Sequence, residues 1–139
     1  MILNDTVRQA LTASHLAHLV TLDEDGSPHL SLVWIGLDGD EIVCAHEHLY
    51  RKLKNIQHDS RVALSIVTEG KTDGLENYLV INGCARVTKG GAPDLLNRLA
   101  QIYMGPGAVF PLPEGTPPEY GYITRITAER IHGRGPWSE

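Results

Sequence analysis

The fold is indicated most clearly by the sequence LAHLVTLDEDGSPHLSLVWIGLDGDEIVCAH, residues 16–46. It contains three runs rich in Leu, Val and Ile, which lie at residues 16–22, 29–37 and 41–46. Turn-forming residues separate the runs, first the cluster DEDGSP and then the pair Asp38-Gly39. Because such turns join neighbouring antiparallel strands, this stretch predicts a meander of three strands.

Helices are predicted on both sides of this meander. Before it, apolar residues recur at helical spacing behind a possible cap at Asn4, which predicts a helix over residues 4–14. After it, residues 49–56 place Leu and Ile on one face and cations on the others, which predicts a short helix. Residues 93–103 show the same periodicity with Pro93 in the first turn, which predicts another helix.

Three further strands are predicted in the remaining sequence. Residues 61–68, 78–88 and 121–128 are rich in β-branched and aromatic side chains. Gly83 lies inside the longest of them, which indicates a bulge or a sharp bend that would let a sheet close. Six strands with two or three peripheral helices predict a mainly β, α+β antiparallel barrel that forms a single domain over residues 1–139.

The segment 104–121 is rich in Pro and Gly and shows no regular periodicity. It contains five prolines. A segment of this length is uncommon as a plain connection between two elements. We therefore expect it to pack over a site or against a partner.

Composition excludes several classes of protein. The chain has 139 residues and a formal net charge of -5, which does not suit a general nucleic-acid binder. It has no apolar run long enough for a membrane span and no signal-peptide pattern, so we expect a cytoplasmic protein. Cys44 and Cys84 lie in apolar segments without CxxC spacing and are expected to be small buried side chains rather than a disulfide.

The segment CAHEHLYRKLKN, residues 44–55, is the most informative for function. A strand ends here and a helix begins, with Arg51 and Lys52 near its first turn. Free backbone N–H groups and the helix dipole favour an anion at such a position, and two cations would strengthen the hold on a phosphate. The alternative is that Arg51, Lys52 and Lys54 form an ordinary solvated helix face.

Other candidate sites are weaker. His46 and His48 share one face of a strand, but the sequence shows no further ligand pair for zinc, so no metal site is expected. Ser31 and Trp34 could contact a ligand, although a surface serine and a core tryptophan explain them equally well. The sequence contains no GxGxxG, GxxxxGK or GxSxG motif and no evident carboxylate pair, and we name no catalytic acid or base.

The whole chain resembles the split barrels related to pyridoxamine 5'-phosphate oxidase, and within them the small branch that uses the deazaflavin coenzyme F420. The resemblance rests on four pieces of sequence. These are AHLVTL with DGSPHLS in residues 17–31, YRKLKNI with HDSRVAL in residues 50–64, INGCARV in residues 81–87, and ITAERIHGRGPW in residues 126–137. The resemblance implies a split barrel and a homodimer with the cofactor in a groove between the chains.

The resemblance also implies roles for individual residues. The cofactor would lie against the segment 50–55, where the pair Arg51 and Lys52 would hold its phosphate. Tyr50 and Asn55 are further cofactor-binding candidates in this segment. The cofactor ring would lie against Ser31, Leu32, Val33, Ala45 and His46. The flavin-using oxidases usually have serine where this chain has Tyr50, and they end in a longer Arg-containing tail.

The function implied is therefore hydride transfer between F420 and a small conjugated substrate, with the protein supplying orientation and electrostatics. The departures at Tyr50 and at the C-terminus weaken the flavin mononucleotide (FMN) and vitamin B6 alternatives. An FMN-binding oxidoreductase remains an alternative, as does a split barrel that binds flavin or haem without turnover. The segment 104–121 and Trp137 are candidates for shaping the substrate side of the partner's site.

Overall fold

The turns expected in the first meander are present, and their glycines Gly26 and Gly39 adopt positive φ angles of 87° and 61°. The computed structural model describes residues 1–137. It has the elements α1 (Asp5–Leu11), β1 (Ala17–Leu22), β2 (Pro28–Val33), β3 (Gly36–Asp38), β4 (Glu41–His46), α2 (Arg51–His58), β5 (Arg61–Thr72), β6 (Leu75–Lys89), α3 (Ala92–Tyr103) and β7 (Tyr122–Arg134).

The strands form one antiparallel sheet in the order β2-β1-β5-β6-β7-β4-β3. The long strands β5, β6 and β7 make up its centre, and β7 pairs on its other side with β4. This α+β arrangement is a split barrel, as expected. β1 and β4 therefore lie in separate parts of the sheet, although they are close in the sequence.

Residues 1–137 form seven strands, so the prediction of six was wrong by one. The run at residues 29–37 is divided because the chain leaves the sheet at Trp34 and Ile35. The hydroxyl of Tyr103 on α3 accepts a hydrogen bond from the Ile35 N–H at 3.0 Å and donates one to the carbonyl of His15 at 2.8 Å. A contact across the fold thus ends β2 and separates it from β3.

Several boundaries also differ from the prediction. β5 and β6 extend further toward each other than expected, to Thr72 and from Leu75, and α2 begins and ends two residues later. α1 ends at Leu11 rather than at residue 14, because Ser14 adopts a positive φ of 61°, which a right-handed helix does not allow. β7 continues to Arg134, because its second half pairs with the first half of β6.

The bulge expected at Gly83 is present. The register between β6 and β7 shifts between Asn82 and Gly83, and a Cβ atom at Gly83 would overlap the carbonyl oxygen of Thr127. The strand can bend here only because the residue has no side chain.

The main core lies inside the barrel, and a smaller cluster lies between the sheet and α3. The smaller cluster is built on Val43, Leu95, Leu99 and Ile123, with Trp34 and Tyr103 packed against it. Cys44 is fully buried, whereas Cys84 is only partly buried. The longest described helix, α3, has twelve residues, and no helix within residues 1–137 has the length and hydropathy to cross a membrane.

Candidate functional site

A cleft of about 350 Å³ lies where the ends of β2 and β4 meet the start of α2. α3 and the Pro-rich segment cover its far side. Its walls are Leu16, Leu32, Val33, Trp34, Ala45, His46, Glu47, Tyr50, Lys52, Leu96, Leu99 and Phe110. The lining is mainly apolar and carries few charged groups, as is usual for a small-molecule site.

Six of the nine residues predicted for the site line this cleft: Leu32, Val33, Ala45, His46, Tyr50 and Lys52. The other three, Ser31, Arg51 and Asn55, do not line it. The side-chain oxygen of Ser31 is buried and has no hydrogen-bond partner within residues 1–137. Arg51 and Asn55 point to the opposite side of α2, toward β1.

Lys52 brings a positive charge to the cleft. Its ammonium lies 5.5 Å from the centre of the Tyr50 ring and forms no ion pair with any carboxylate of residues 1–137. Burial lowers its pKa, since the charged form loses hydration. Glu47 also lines the cleft but makes no ion pair with Lys52. The ammonium is therefore available to an anionic ligand.

The start of α2 adds to this positive character. Tyr50 occupies the N-cap position but its side chain makes no capping hydrogen bond, and the first turn contains no acidic residue. The N–H of Leu53 donates to the Tyr50 carbonyl at 3.0 Å, whereas those of Arg51 and Lys52 have no backbone partner within residues 1–137 and are free to donate. The helix dipole favours a negative charge beside them. We call this region, with Lys52, Tyr50, Ala45 and His46, the cleft side of α2.

The other face of α2 is different, and we call it the closed side; it consists of Thr21, Asp23, Arg51 and Asn55. Arg51 donates two hydrogen bonds to Asp23, at 2.9 Å and 2.7 Å. The Asn55 amide, which is buried, donates to Asp23 at 2.9 Å and to Thr21 at 3.1 Å. The hydrogen bond from Asn55, together with those from Arg51, lowers the pKa of Asp23. Arg51 is thus held by a carboxylate.

His46 is buried at the end of β4. Its Nε2 lies 2.9 Å from the Thr124 hydroxyl. Burial, with a smaller effect from Lys52, lowers the pKa of His46 to about 3, so the imidazole is neutral at physiological pH. Burial likewise raises the pKa of the neighbouring Cys44 thiol to about 12.

Aromatic side chains form the wall of the cleft on the α3 side. Trp34 stacks on Tyr103 with ring centres 5.2 Å apart and planes at 8°. Phe110 packs edge-on to Trp34 at 6.0 Å, and its backbone N–H donates to Asn97 at 2.8 Å. The segment 104–121 therefore reaches the cleft through Phe110. Trp137 lies elsewhere, with its indole N–H bonded to the Tyr78 carbonyl at 2.9 Å.

The sequence did not identify all the lining residues. Those missed are Leu16, Glu47, Leu96, Leu99 and Phe110, while Trp34 had been left open as a wall or core residue. Phe110 is the only phenylalanine in the chain and lies among prolines, which was the one available hint. Within the described residues, 1–137, no three His, Cys, Asp or Glu side chains are placed to hold a metal ion.

Solved structures with the same fold have names that indicate different functions. An F420 reductase is 21% identical, with a TM-score of 0.72 over 94% of this chain and 98% of the other. A conserved hypothetical protein from Mycobacterium tuberculosis is 22% identical, with a TM-score of 0.71 over 96% and 85%. The haem storage protein HutZ from Vibrio cholerae is 14% identical, with a TM-score of 0.63 over 96% and 95%.

These likenesses show the fold and leave the ligand open. No curated protein sequence matches the chain at a significant level. The family model described as pyridoxamine 5'-phosphate oxidase, in contrast, matches residues 3–134, which is nearly the whole chain. The chain therefore belongs to the pyridoxamine 5'-phosphate oxidase family.

Proposed function

We propose that this protein is an F420-dependent oxidoreductase that transfers a hydride between the deazaflavin and a small conjugated organic substrate. The observation that supports this most is the position of Lys52. Its ammonium has no carboxylate partner within residues 1–137 and lies at the uncapped start of α2, beside an apolar cleft. This combination suits a ligand with a flat ring and a phosphate.

The residues of the cleft have separate tasks in this proposal. Lys52 and the N–H groups at the start of α2 hold the phosphate. Val33 and Ala45 supply an apolar wall for the ring, and Phe110 covers the substrate side and excludes water. The deazaflavin supplies the hydride chemistry when it is bound. The neutral His46 fixes the end of β4 through Thr124, so it neither donates nor accepts a proton in the reaction.

FMN is the second candidate, because Lys52 and the start of α2 could hold any phosphate of similar size. A haem module is less well supported by the site. His46 is the histidine that lines the cleft, and its Nε2 is already hydrogen-bonded to Thr124. It would have to break this bond to ligate iron through that nitrogen.

We further propose a homodimer in which the second chain completes the cleft. Leu16 and Leu32 line the cleft yet are 47% and 54% exposed, and Leu30 on the same strand is 60% exposed. A second copy would bury these side chains. Trp137 would then contribute to the partner's site, and a Trp137→Ala variant with unchanged turnover would contradict that role.

Free thiols at Cys44 and Cys84 suit a cytoplasmic location.

The test is a fluorescence titration of the protein with F420 and with FMN. Lys52→Gln should lower the affinity for the bound coenzyme by about tenfold or more, because a charge-assisted hydrogen bond is lost. Lys54→Gln is the matched control, since it removes the same charge from the exposed face of the same helix. It should change the affinity by less than about twofold.

Activity is then measured as the oxidation of reduced F420, followed by absorbance, in the presence of a conjugated acceptor. The absorbance should not change when the acceptor is omitted. Tight binding of F420 with turnover supports the proposal, and binding of FMN alone supports the second candidate. The proposal is wrong if neither coenzyme binds, or if Lys52→Gln and Lys54→Gln have equal effects.

A further inference from the structure

We propose that residues 105–116 form a strap that opens and closes the cleft, and that Asn97 on α3 is the positioning residue that holds it closed. This role rests on the proposed function, because Phe110 in the strap lines the part of the cleft assigned to the substrate. It deepens that function by naming the residue that controls access of the substrate to the coenzyme. Asn97 itself does not line the cleft, so it acts only through the strap.

The Pro-rich segment is attached unevenly to the rest of the protein. Its C-terminal end is held by three backbone hydrogen bonds from the residues before and at the start of α3. These bonds are donated at 2.7, 3.0 and 3.1 Å by Gly90, Gly91 and Ala92 to the carbonyls of Gly121, Pro118 and Tyr120. The strap lacks such anchors within residues 1–137. None of its residues is buried, and its backbone hydrogen bonds, such as that from Ala108 to Gly105 at 3.1 Å, join one part of the strap to another.

Within the described residues, one hydrogen bond ties the strap to the rest of the chain. The backbone N–H of Phe110 donates to Oδ1 of Asn97 at 2.8 Å. The Phe110 ring packs edge-on to Trp34, with ring centres 6.0 Å apart, and Trp34 stacks in turn on Tyr103. The hydrogen bond therefore fixes the backbone of the residue whose ring enters the cleft.

Glycines near both ends allow the strap to move as a unit. Gly105 and Gly115 have positive φ angles of 120° and 81°. Apart from their chain neighbours, no atom lies within 4 Å of the place that a Cβ would take at either residue, so the backbone there is not packed. Rotation at these two points would carry Phe110 out of the cleft and leave α3 and residues 118–121 in place.

The position of Phe110 separates access of the substrate from binding of the coenzyme phosphate. With the strap closed, its ring confines the substrate and excludes water from the reacting face. Lys52 and the start of α2 form a different wall of the cleft, and they hold the phosphate whether the strap is open or closed. Loss of the hydrogen bond from Phe110 should therefore weaken the substrate complex more than the coenzyme complex.

The first experiment tests the strap without any ligand. Exchange of the Phe110 amide proton with water is measured by NMR. Asn97→Ala should speed this exchange by about tenfold, because the acceptor of the N–H is lost. Asn97→Asp keeps an acceptor oxygen and should return the rate to within about threefold of the wild type. Gln101→Ala, at an exposed position of the same helix, is the matched control and should change the rate by less than about twofold.

The second experiment measures turnover of a conjugated acceptor with reduced F420. Asn97→Ala should raise KM for the acceptor by about fivefold or more, whereas the affinity for F420 should change by less than about twofold. Asn97→Asp should restore KM. A general loss of structure would lower kcat and the affinity for F420 together, without rescue by aspartate. Circular dichroism and thermal unfolding verify that each variant is folded.

The outcomes separate the role of Asn97 from the proposed function. If the Phe110 amide exchanges equally fast in the wild type and in Asn97→Ala, Asn97 does not hold the strap and the proposed role is wrong, whichever coenzyme binds. It is also wrong if exchange responds as expected but KM does not change. If exchange responds but neither F420 nor FMN binds, the proposed function fails and the control of substrate access fails with it, whereas closure of the strap by Asn97 stands.

Discussion

The two sides of α2 show how the same kind of charge behaves in different surroundings. On the closed side, Arg51 is joined to Asp23, and Asn55 ties that carboxylate to Thr21. On the cleft side, Lys52 lies against Tyr50 and forms no ion pair within residues 1–137. One cation therefore contributes to structure and the other is available for binding, although they are neighbours in the sequence.

The comparison teaches that a basic motif does not define a binding site by its letters alone. The orientation of the helix decides which cation meets a carboxylate. The pairs Arg51 with Asp23 and Asn55 with Thr21 join α2 to β1 and the turn after it, whereas Lys52 contacts no carboxylate within residues 1–137.

The largest effect on stability is expected when the side chain of Asn55, on the closed side, is removed. Asn55→Ala should lower the free energy of unfolding by about 3 kcal/mol, because a buried amide that bonds a carboxylate and a hydroxyl is lost. Urea denaturation measures the change. Gln57→Ala, on the exposed face of the same helix, is the control and should have little effect. Equal losses in the two variants would show that the closed side does not hold α2.

On the cleft side, the buried His46 should make the stability of the protein depend on pH. Burial lowers the pKa of His46 from 6.5 to about 3, so the unfolded chain binds a proton in this range and the folded chain does not. Stability from this group is therefore complete above about pH 6.5 and is lost as the pH falls toward 3, by about 1.4 kcal/mol per pH unit.

Urea denaturation at pH 7, 6 and 5 tests this, with His46→Gln as the comparison. The free energy of unfolding should fall less steeply with decreasing pH in the variant than in the wild type. The difference in slope should correspond to the uptake of close to one proton on unfolding. Parallel curves for the two proteins would mean that His46 titrates normally in the folded state.

The aromatic wall of the cleft side depends on Tyr103. Tyr103→Phe keeps the stacking on Trp34 but leaves the Ile35 N–H and the His15 carbonyl without this partner. We expect a loss of about 1.5 kcal/mol in the free energy of unfolding. Tyr78→Phe, at a more exposed ring, is the control. An unchanged stability would show that other contacts separate β2 from β3.

The smallest effect is expected for the exposed half of the closed side. Arg51→Gln should lower the melting temperature by less than about 2 °C, since ion pairs with an exposed partner contribute little. The difference should shrink further in high salt. A decrease as large as that of Asn55→Ala would mean that the ion pair, rather than the buried amide, holds the helix.

Much of the fold could be predicted because local rules determine it. The Asp-Gly turns at Gly26 and Gly39 need positive φ, and the bulge at Gly83 needs a residue without a side chain. The division between β2 and β3 could not be predicted. The run from Leu32 to Ile35 is uniformly apolar, and a hydroxyl from Tyr103, 68 residues away, ends the strand.

In the candidate site, too, contacts between residues that are distant in the sequence could not be predicted. Lys52 was predicted because it follows a strand-to-helix junction, whereas Ala45 was implied by the resemblance to the family. The pairing of Arg51 was not predicted, since Asp23 is 28 residues away and no spacing rule connects them. Leu96 and Phe110 were missed because only tertiary packing brings α3 and the Pro-rich segment to the cleft.

The unequal burial of Cys44 and Cys84 has a practical consequence for spectroscopy. Maleimide reagents attack the thiolate, and Cys44 with a pKa of about 12 remains protonated and enclosed. Cys84, whose thiol contacts Glu129 at 3.2 Å, is only partly covered. A single dye can therefore be attached at Cys84 on β6 without replacing either cysteine.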